Sequence, residues 1–222
     1  MFNIAIDGPS GAGKSTVARA AAKQLGFIYV DTGALYRAIG LFAVRAGADT
    51  KDAGQIVQLL DGIELSLKIE DGTQHVIMNG EDVSGLIRTP EISMAASDVS
   101  KVPEVRTFLL QLQRDIAAQN DCLMDGRDIA TVILPDAQIK IFLTASAEVR
   151  AKRRYLELLE KGENVTYGEV LDDVNKRDYQ DSHREIAPLK PSEQSVIVDT
   201  SDMSLEQSTE AVISIVREKY NK

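Results

Sequence analysis

The sequence predicts an α/β protein whose parallel sheet is covered by helices on both faces. Three observations carry that expectation. The chain opens as strand, glycine-rich loop, helix, strand and helix; two further short apolar runs, at 122–124 and 139–143, read as buried strands; and helical stretches follow them. At 222 residues, 44% of them hydrophobic, the chain suits one domain, or one domain carrying an insertion, with a sizeable core.

Each element has a local cause. Asn3 to Asp7 is a short apolar run, residues 8–13 are glycine-rich, and Ser15 to Leu25 is an Ala-rich helix that Gly26 stops. Phe27 to Val30 is the second strand, and Asp31-Thr32-Gly33 leads into a helix from Ala34 to about Ala46. From Gly62 to Gly85 the period falls to two. Ile63, Leu65, Leu67 and Ile69 alternate with polar residues, Asp71-Gly72 turns, and Val76-Ile77-Met78 continues, so residues 62–88 are expected to form a small antiparallel inserted lobe. Pro103 starts a helix over 103–119 with Val105, Phe108, Leu109, Leu112 and Ile116 on one face. After the two buried strands come a charged helix at 147–161 and a polar one at 166–183. Ala187-Pro188-Leu189-Lys190-Pro191 breaks the pattern, Ser195 to Val198 is the last strand, and Ser204 to Tyr220 closes the chain as an amphipathic helix.

The same composition excludes several function classes. A net charge of -9 argues against coating nucleic acid by bulk electrostatics, which needs a basic stripe. No apolar run approaches the roughly 18 residues of a membrane span. The N-terminus has no basic region and meets Asp7 early, so a cytosolic protein without a signal peptide is expected. The single cysteine, Cys122, lies in an apolar strand and reads as a small buried hydrophobe rather than a reactive thiol.

Gly8-Pro9-Ser10-Gly11-Ala12-Gly13-Lys14-Ser15 fits the pattern of glycine, four residues, then Gly-Lys-Ser between a strand and a helix. Such a loop wraps a polyphosphate in backbone N–H groups. Its glycines admit left-handed backbone angles and let phosphate approach without a Cβ in the way. Lys14 would reach the β- and γ-phosphates, Ser15 would ligate Mg²⁺, and the helix start directs its positive dipole end at the anion. Nucleoside triphosphate binding follows.

Arginines beside strand ends point to a second anionic substrate. Arg37 lies one turn into the helix after Asp31-Thr32-Gly33, either to meet a phosphate or as a solvated charge. Arg127 stands between Asp125 and Asp128, either as a ligand group or as a locally ion-paired turn. Arg150, Lys152, Arg153 and Arg154 crowd one helix, while Arg177, Asp181 and Arg184 recur at i, i+4 and i+7 on the next. Two basic faces suit a lid over transferring phosphates, where arginine neutralises spread negative charge; solvated, ion-paired helices are the alternative. His75 and His183 are too isolated to build a metal cluster.

Taken together, Gly8 to Thr16, Asp31 to Arg37, Glu81-Asp82-Val83-Ser84-Gly85, Ile87-Arg88-Thr89, Asp125 to Asp128 and Ala187-Pro188-Leu189 resemble bacterial cytidylate kinases over essentially the whole chain. The resemblance implies a P-loop NTPase of the nucleoside monophosphate kinase fold with a five-stranded parallel sheet. It implies a single domain over 1–222, with a core of about 1–61, 89–146 and 185–222, a substrate-binding lobe at 62–88 and a lid at 147–184. The implied activity is ATP-dependent phosphorylation of CMP or dCMP in pyrimidine nucleotide metabolism, with Mg²⁺ as cofactor. Nucleotides are the expected partners, in place of nucleic acid or membrane, and a monomer is expected.

Residue by residue, the resemblance implies that Gly8, Pro9, Ser10, Gly11, Ala12, Gly13, Lys14, Ser15 and Thr16 hold ATP. Ser97, Arg106 and Asp128 would contact cytosine, Arg37, Arg127 and Arg177 the monophosphate, and Asp181 the sugar, with Thr32, Tyr36 and Asp125 also at the acceptor. Lys14, Arg127, Arg153, Arg154 and Arg184 would steady the phosphoryl group in flight. The chemistry agrees at Asp128, because a carboxylate accepts from the N4 amino group of cytosine and is repelled by the carbonyl oxygen of uracil. Where the family pattern has Gly-Lys-Gly-Thr this chain has Lys14-Ser15-Thr16, so Mg²⁺ has two candidate hydroxyls. Another small-molecule kinase, for uridylate or shikimate, and a catalytically silent nucleotide-binding scaffold remain the alternatives.

Overall fold

The structure, a computed structural model, describes residues 1–70 and 73–220; the expected turn at Asp71-Gly72 lies outside them. In chain order the elements are β1 (Asn3–Asp7), α1 (Lys14–Leu25), β2 (Ile28–Asp31), α2 (Thr32–Arg45), α3 (Ala53–Leu59), β3 (Leu65–Glu70), β4 (Thr73–Met78), β5 (Glu81–Asp82), α4 (Pro90–Val99) and α5 (Pro103–Gln119). Then follow β6 (Cys122–Gly126), a π-helical turn (Ile129–Ile133), β7 (Ile139–Thr144), α6 (Ala147–Glu160), α7 (Tyr167–His183), β8 (Val196–Asp199) and α8 (Leu205–Tyr220). The expected parallel sheet has five strands in the order β2, β6, β1, β7, β8, and β3, β4 and β5 form the small antiparallel sheet.

The chain divides into two compact units. One comprises Met1 and residues 28–122; the other comprises 2–27 and 123–222. In the second unit Ile4 pairs with Ile139, Ile6 with Ile141, and Leu143 with Val198. Ile4, Ile6, Leu123, Met124, Ile139, Ile141 and Leu143 are fully buried, as strands covered on both faces require. Gly26 ends α1 in a left-handed conformation at φ 73°, its N–H donating to the Ala22 carbonyl. Phe2, Phe27 and Tyr220 meet edge to face, fastening α8 beside the start of β1.

The first unit has its own core. Leu35 and Ile39 of α2, Val99 of α4, and Val105 and Leu109 of α5 pack with Val76, Met78, Val83 and Ile87. The apolar side chains of the predicted lobe thus share one core with three helices. Two of the helices here, α3 and α4, were not expected. Both carry readable start signals: Asp52 accepts from Gln55 N–H, and Thr89 accepts from Ile92 N–H with Pro90 at the first helical position. The face predicted for α5 needs correction. Its buried line steps by four through Val105, Leu109, Gln113 and Ala117, which leaves Phe108 exposed and Leu112 and Ile116 half-buried.

At Gly40 α2 approaches α4 closely. A Cβ there would lie 3.0 Å from both the Ala95 Cβ and the Ala96 backbone nitrogen. In an exposed helix Gly→Ala gains about 1 kcal/mol of propensity. Here backbone must move to admit one methyl group, and overpacking costs about 1–3 kcal/mol. Gly40→Ala is expected to lower the denaturation midpoint in urea; a raised midpoint would mean that the helices part without strain.

Candidate active site

Gly8 opens the phosphate loop at φ +148°, and a Cβ on it would stand 1.9 Å from the Leu143 carbonyl oxygen, so only glycine fits where the loop leaves β1. Gly13 closes the loop at φ 88° as the N-cap of α1. Lys14, the first residue of that helix, is buried and donates from Nζ to the Pro9 carbonyl at 2.7 Å. Burial and the neighbouring Arg127 pull its ammonium well below the ordinary lysine value, against Asp125, Asp7 and Asp181, which push it up. The Ser15 hydroxyl donates to Asp125 Oδ2 at 2.8 Å. Ser15 and Thr16 are both exposed, but this bond distinguishes Ser15.

Arg150 is the largest departure from the expected basic lid face. It is 4% exposed and faces inward. Its Nε donates to the Ala145 carbonyl at 2.8 Å, its Nη1 to the Ser10 carbonyl at 3.1 Å, and its two terminal nitrogens grip Asp178 of α7 at 2.9 and 2.5 Å. One guanidinium thus ties the phosphate loop to α6 and α7. Charge counting along the helix missed this role because it cannot tell an inward arginine from an outward one. Arg153 turns its Nη2 to the Thr200 carbonyl at 2.7 Å, and Thr200 Oγ1 in turn reaches the Ala12 carbonyl at 3.3 Å. Arg154 pairs with Glu157 at 2.9 Å on the surface of α6.

The arginines and acids after β6 form a second group in the same unit. Arg127 Nε donates to Asp181 Oδ2 at 2.9 Å, an ion pair across 54 residues rather than the local staple that was one alternative. Burial pushes the Asp181 carboxyl up, but Arg127, Arg177 and Arg184 together hold it below its usual value. Arg184 lies past the end of α7 in extended conformation, so the expected i+7 position on that helix is corrected. From there its Nε donates to the Ala187 carbonyl at 2.6 Å and its Nη2 stands 3.8 Å from Asp128 Oδ1. Asp128 itself is 3% exposed at the head of the π-helical turn.

The first unit holds the remaining predicted residues. Asp31 caps α2 by accepting from Ala34 N–H, and its second oxygen takes a bond from Arg37 Nη2 at 2.7 Å, so Arg37 is a half-buried, ion-paired group rather than a solvated charge. Thr32 is buried at the start of α2. The Arg106 guanidinium of α5 lies 5.7 Å from the centre of the Tyr36 ring and donates to the Ser100 carbonyl at 3.3 Å. Ser97 is half-buried on α4.

A hydroxyl backed by a carboxylate, as in Ser15 and Asp125, offers the hard oxygen donors that Mg²⁺ takes together with phosphate oxygens and water. The donor set fits that ion. Among the described residues no group of three or more His, Cys, Asp and Glu side chains could hold a metal, so an ion here would be shared with nucleotide phosphates. His75 is bonded to Asp82 and His183 lies against Tyr179. Cys122 is buried and its thiol pushed up to about 12, chiefly by burial and further by Asp121, which makes it inert. No described helix is long and apolar enough to cross a membrane.

The fold and this loop are those of the phosphate-loop class of nucleotide-binding proteins. Shikimate kinase from Bacteroides thetaiotaomicron has a similar fold, with a TM-score of 0.50 at 12% identity over 100% of this chain and 99% of that one. The sequence model of the family described as cytidylate kinase matches residues 4–218. The cytidylate kinase of Caldicellulosiruptor saccharolyticus is 49% identical over 96% of this chain and 95% of its own length. That of Caldanaerobacter subterraneus subspecies tengcongensis is 51% identical over 96% and 94%. The chain belongs to the cytidylate kinase family.

Arg150 supplies a test of the loop's support. Lysine in its place cannot reach Asp178, Ala145 and Ser10 together, and breaking a buried pair costs about 3–5 kcal/mol, reduced here because Asp178 keeps partial solvent access. Arg150→Lys is expected to lose about 2–4 kcal/mol in urea unfolding and to weaken ATP binding in calorimetry. Unchanged ATP affinity would show that the loop holds its shape without this arginine.

Proposed function

We propose that the protein transfers the γ-phosphoryl group of ATP to CMP and dCMP in the cytoplasm. The observation that carries this reading is the grouping of Arg127, Arg177 and Arg184 around Asp181, with Arg184 reaching Asp128, in the compact unit that also holds the phosphate loop. Family membership over almost the whole chain supports it.

The residues divide by task. Backbone N–H groups from Gly8 to Thr16 hold the donor phosphates, and Lys14, now on the Pro9 carbonyl, is long enough to turn to the β- and γ-oxygens. Ser15, backed by Asp125, would hold Mg²⁺, which when bound neutralises phosphate charge and orients the donor. Asp128 accepts from the cytosine N4 amino group, with Ser97 and Arg106 as further base contacts. Arg37, Arg127 and Arg177 are assigned to the acceptor phosphate, Thr32 and Tyr36 are further acceptor contacts, and Asp181 takes the sugar.

The reaction itself needs no general base. An oxygen of the acceptor phosphate, ionised near neutral pH, attacks the γ-phosphorus; that new P–O bond forms as the bond to the β,γ-bridging oxygen breaks, leaving ADP. Charge spreads over the transferring oxygens, and Lys14, Arg127, Arg184, Arg153 and Arg154 are the cations available to meet it. Arg153 and Arg154 would exchange their present partners, Thr200 and Glu157, for phosphate.

Release of ADP in a coupled assay with ATP and Mg²⁺, run separately with CMP, dCMP, UMP, AMP, GMP and shikimate, tests the acceptor. Turnover with CMP and dCMP and little with the others is expected. Turnover with shikimate or with none of them would overturn the reading. Asp128→Ala is expected to lower kcat/KM for CMP about tenfold to a hundredfold while ATP affinity stays largely unchanged, because one hydrogen bond to a charged group is lost. Equal losses for both nucleotides would remove Asp128 from the base.

A further inference from the structure

Asp7 ends β1, one residue before the phosphate loop, and is 1% exposed. Its carboxylate reaches the π-helical turn more than 120 residues further on: Oδ1 accepts from the Ile129 N–H and Oδ2 from the Ala130 N–H, both at 2.8 Å. The first N–H groups of any helical turn lack partners within it and need an acceptor from outside. An aspartate at the head of a turn commonly supplies one. Asp128 occupies that position here, yet its side chain makes no cap hydrogen bond. The cap comes from another strand.

We propose that Asp7 is a positioning residue for acceptor recognition: by capping the turn in place of Asp128, it holds Arg127 and Asp128 where they meet the acceptor phosphate and base. This rests on the roles given to Arg127 and Asp128 above. The same carboxylate leads directly into Gly8, so one side chain sets the spacing between the loop that binds the donor and the turn that reads the acceptor.

The position carries a cost that packing alone does not explain. Burial pushes the Asp7 carboxyl up from 3.8 to about 6; the N–H groups of Ala130 and Ile129 oppose the rise, Asp128 adds to it and Lys14 opposes it. Asp128 and Lys14 are thus the charges that act on it, and its register partner on β7 is the uncharged Phe142. The folded protein therefore holds a proton that the unfolded chain releases between about pH 4 and 6. Across that window the contribution of Asp7 to stability rises as pH falls. Acceptor recognition runs the other way. A protonated carboxyl places an O–H where an acceptor stood, and one of the two amides loses its partner.

The test uses the full chain and cytidine, which lacks the phosphate that itself titrates near pH 6. Calorimetric affinity for cytidine is expected to fall about tenfold from pH 7.5 to 5 as one buried amide is orphaned. In Asp7→Asn the affinity should be weak and nearly flat over the same range. That variant should also raise KM for CMP about tenfold at pH 7.5, with ATP affinity kept and the melting temperature no lower at neutral pH, because a buried charge has been removed. A pH-independent cytidine affinity in the wild-type protein overturns the proposal, and needs no variant to fold. Equal weakening of ATP and CMP in Asp7→Asn overturns it too. Asp128→Ala separates the two levels: if it spares CMP, the acceptor reading fails and takes the Asp7 role with it. If Asp128→Ala weakens CMP and Asp7→Asn does not, only the Asp7 role fails.

Discussion

Charge held away from bulk water is the constraint on which this molecule depends. Asp7, Lys14, Asp125 and Asp128 are each less than a tenth exposed, and Arg127, Asp181 and Arg184 are only partly open to solvent. No member of such a group is tolerable alone, because an unpaired buried charge costs several kcal/mol. The acids are therefore apportioned: Asp125 to Ser15, Asp181 to Arg127, Asp128 beside Arg184, and Asp7 to two backbone amides. Asp7 and Asp125 stand near the ends of β1 and β6, strands whose central residues are apolar and buried, so the packing of those strands places these two carboxylates.

The arrangement explains why phosphoryl transfer requires so little from individual side chains. A proton acceptor is not needed when the attacking oxygen is already ionised. What is needed is positive charge fixed before the reaction begins, and three of the arginines proposed to supply it are held by partners: Arg37 by Asp31, Arg127 by Asp181, Arg184 by the Ala187 carbonyl. Preorganised cations of this kind spend no free energy on reorientation during the chemical step.

Much of this was legible in the sequence. The order of strands and helices followed from apolar runs and glycines, and the phosphate loop from a motif whose glycines have steric duties, as Gly8 against the Leu143 carbonyl illustrates. Where reading failed, the cause was three-dimensional. Arg150 sits in a run of basic residues with nothing local to separate it from Arg154, yet one is buried against Asp178 and the other lies on the surface. The inward line of α5 passes beside Phe108 because packing in steps of four selects Leu109 and the polar Gln113 instead. Helices α3 and α4 did announce themselves, through Asp52 and through Thr89-Pro90, but their short, mixed patterns carried little periodicity. The reach of Asp7 to Ile129 and Ala130 has no sequence signal, since only the folded sheet brings them together.

The pairing of β1 with β7 also governs the order in which a growing chain can acquire its donor site. The loop from Gly8 to Ser15 is made before the groups that hold it: Ile4 must wait for Ile139, and Gly8 for the Leu143 carbonyl. The Ser10 carbonyl must wait for Arg150, and Phe2 for Tyr220. Residues 28–122 belong to a different compact unit, and 135 positions separate Ile4 from its register partner Ile139 on β7. A nascent chain cannot set this loop as it is made; synthesis must pass Leu143 and Arg150 before the loop has the groups that support it.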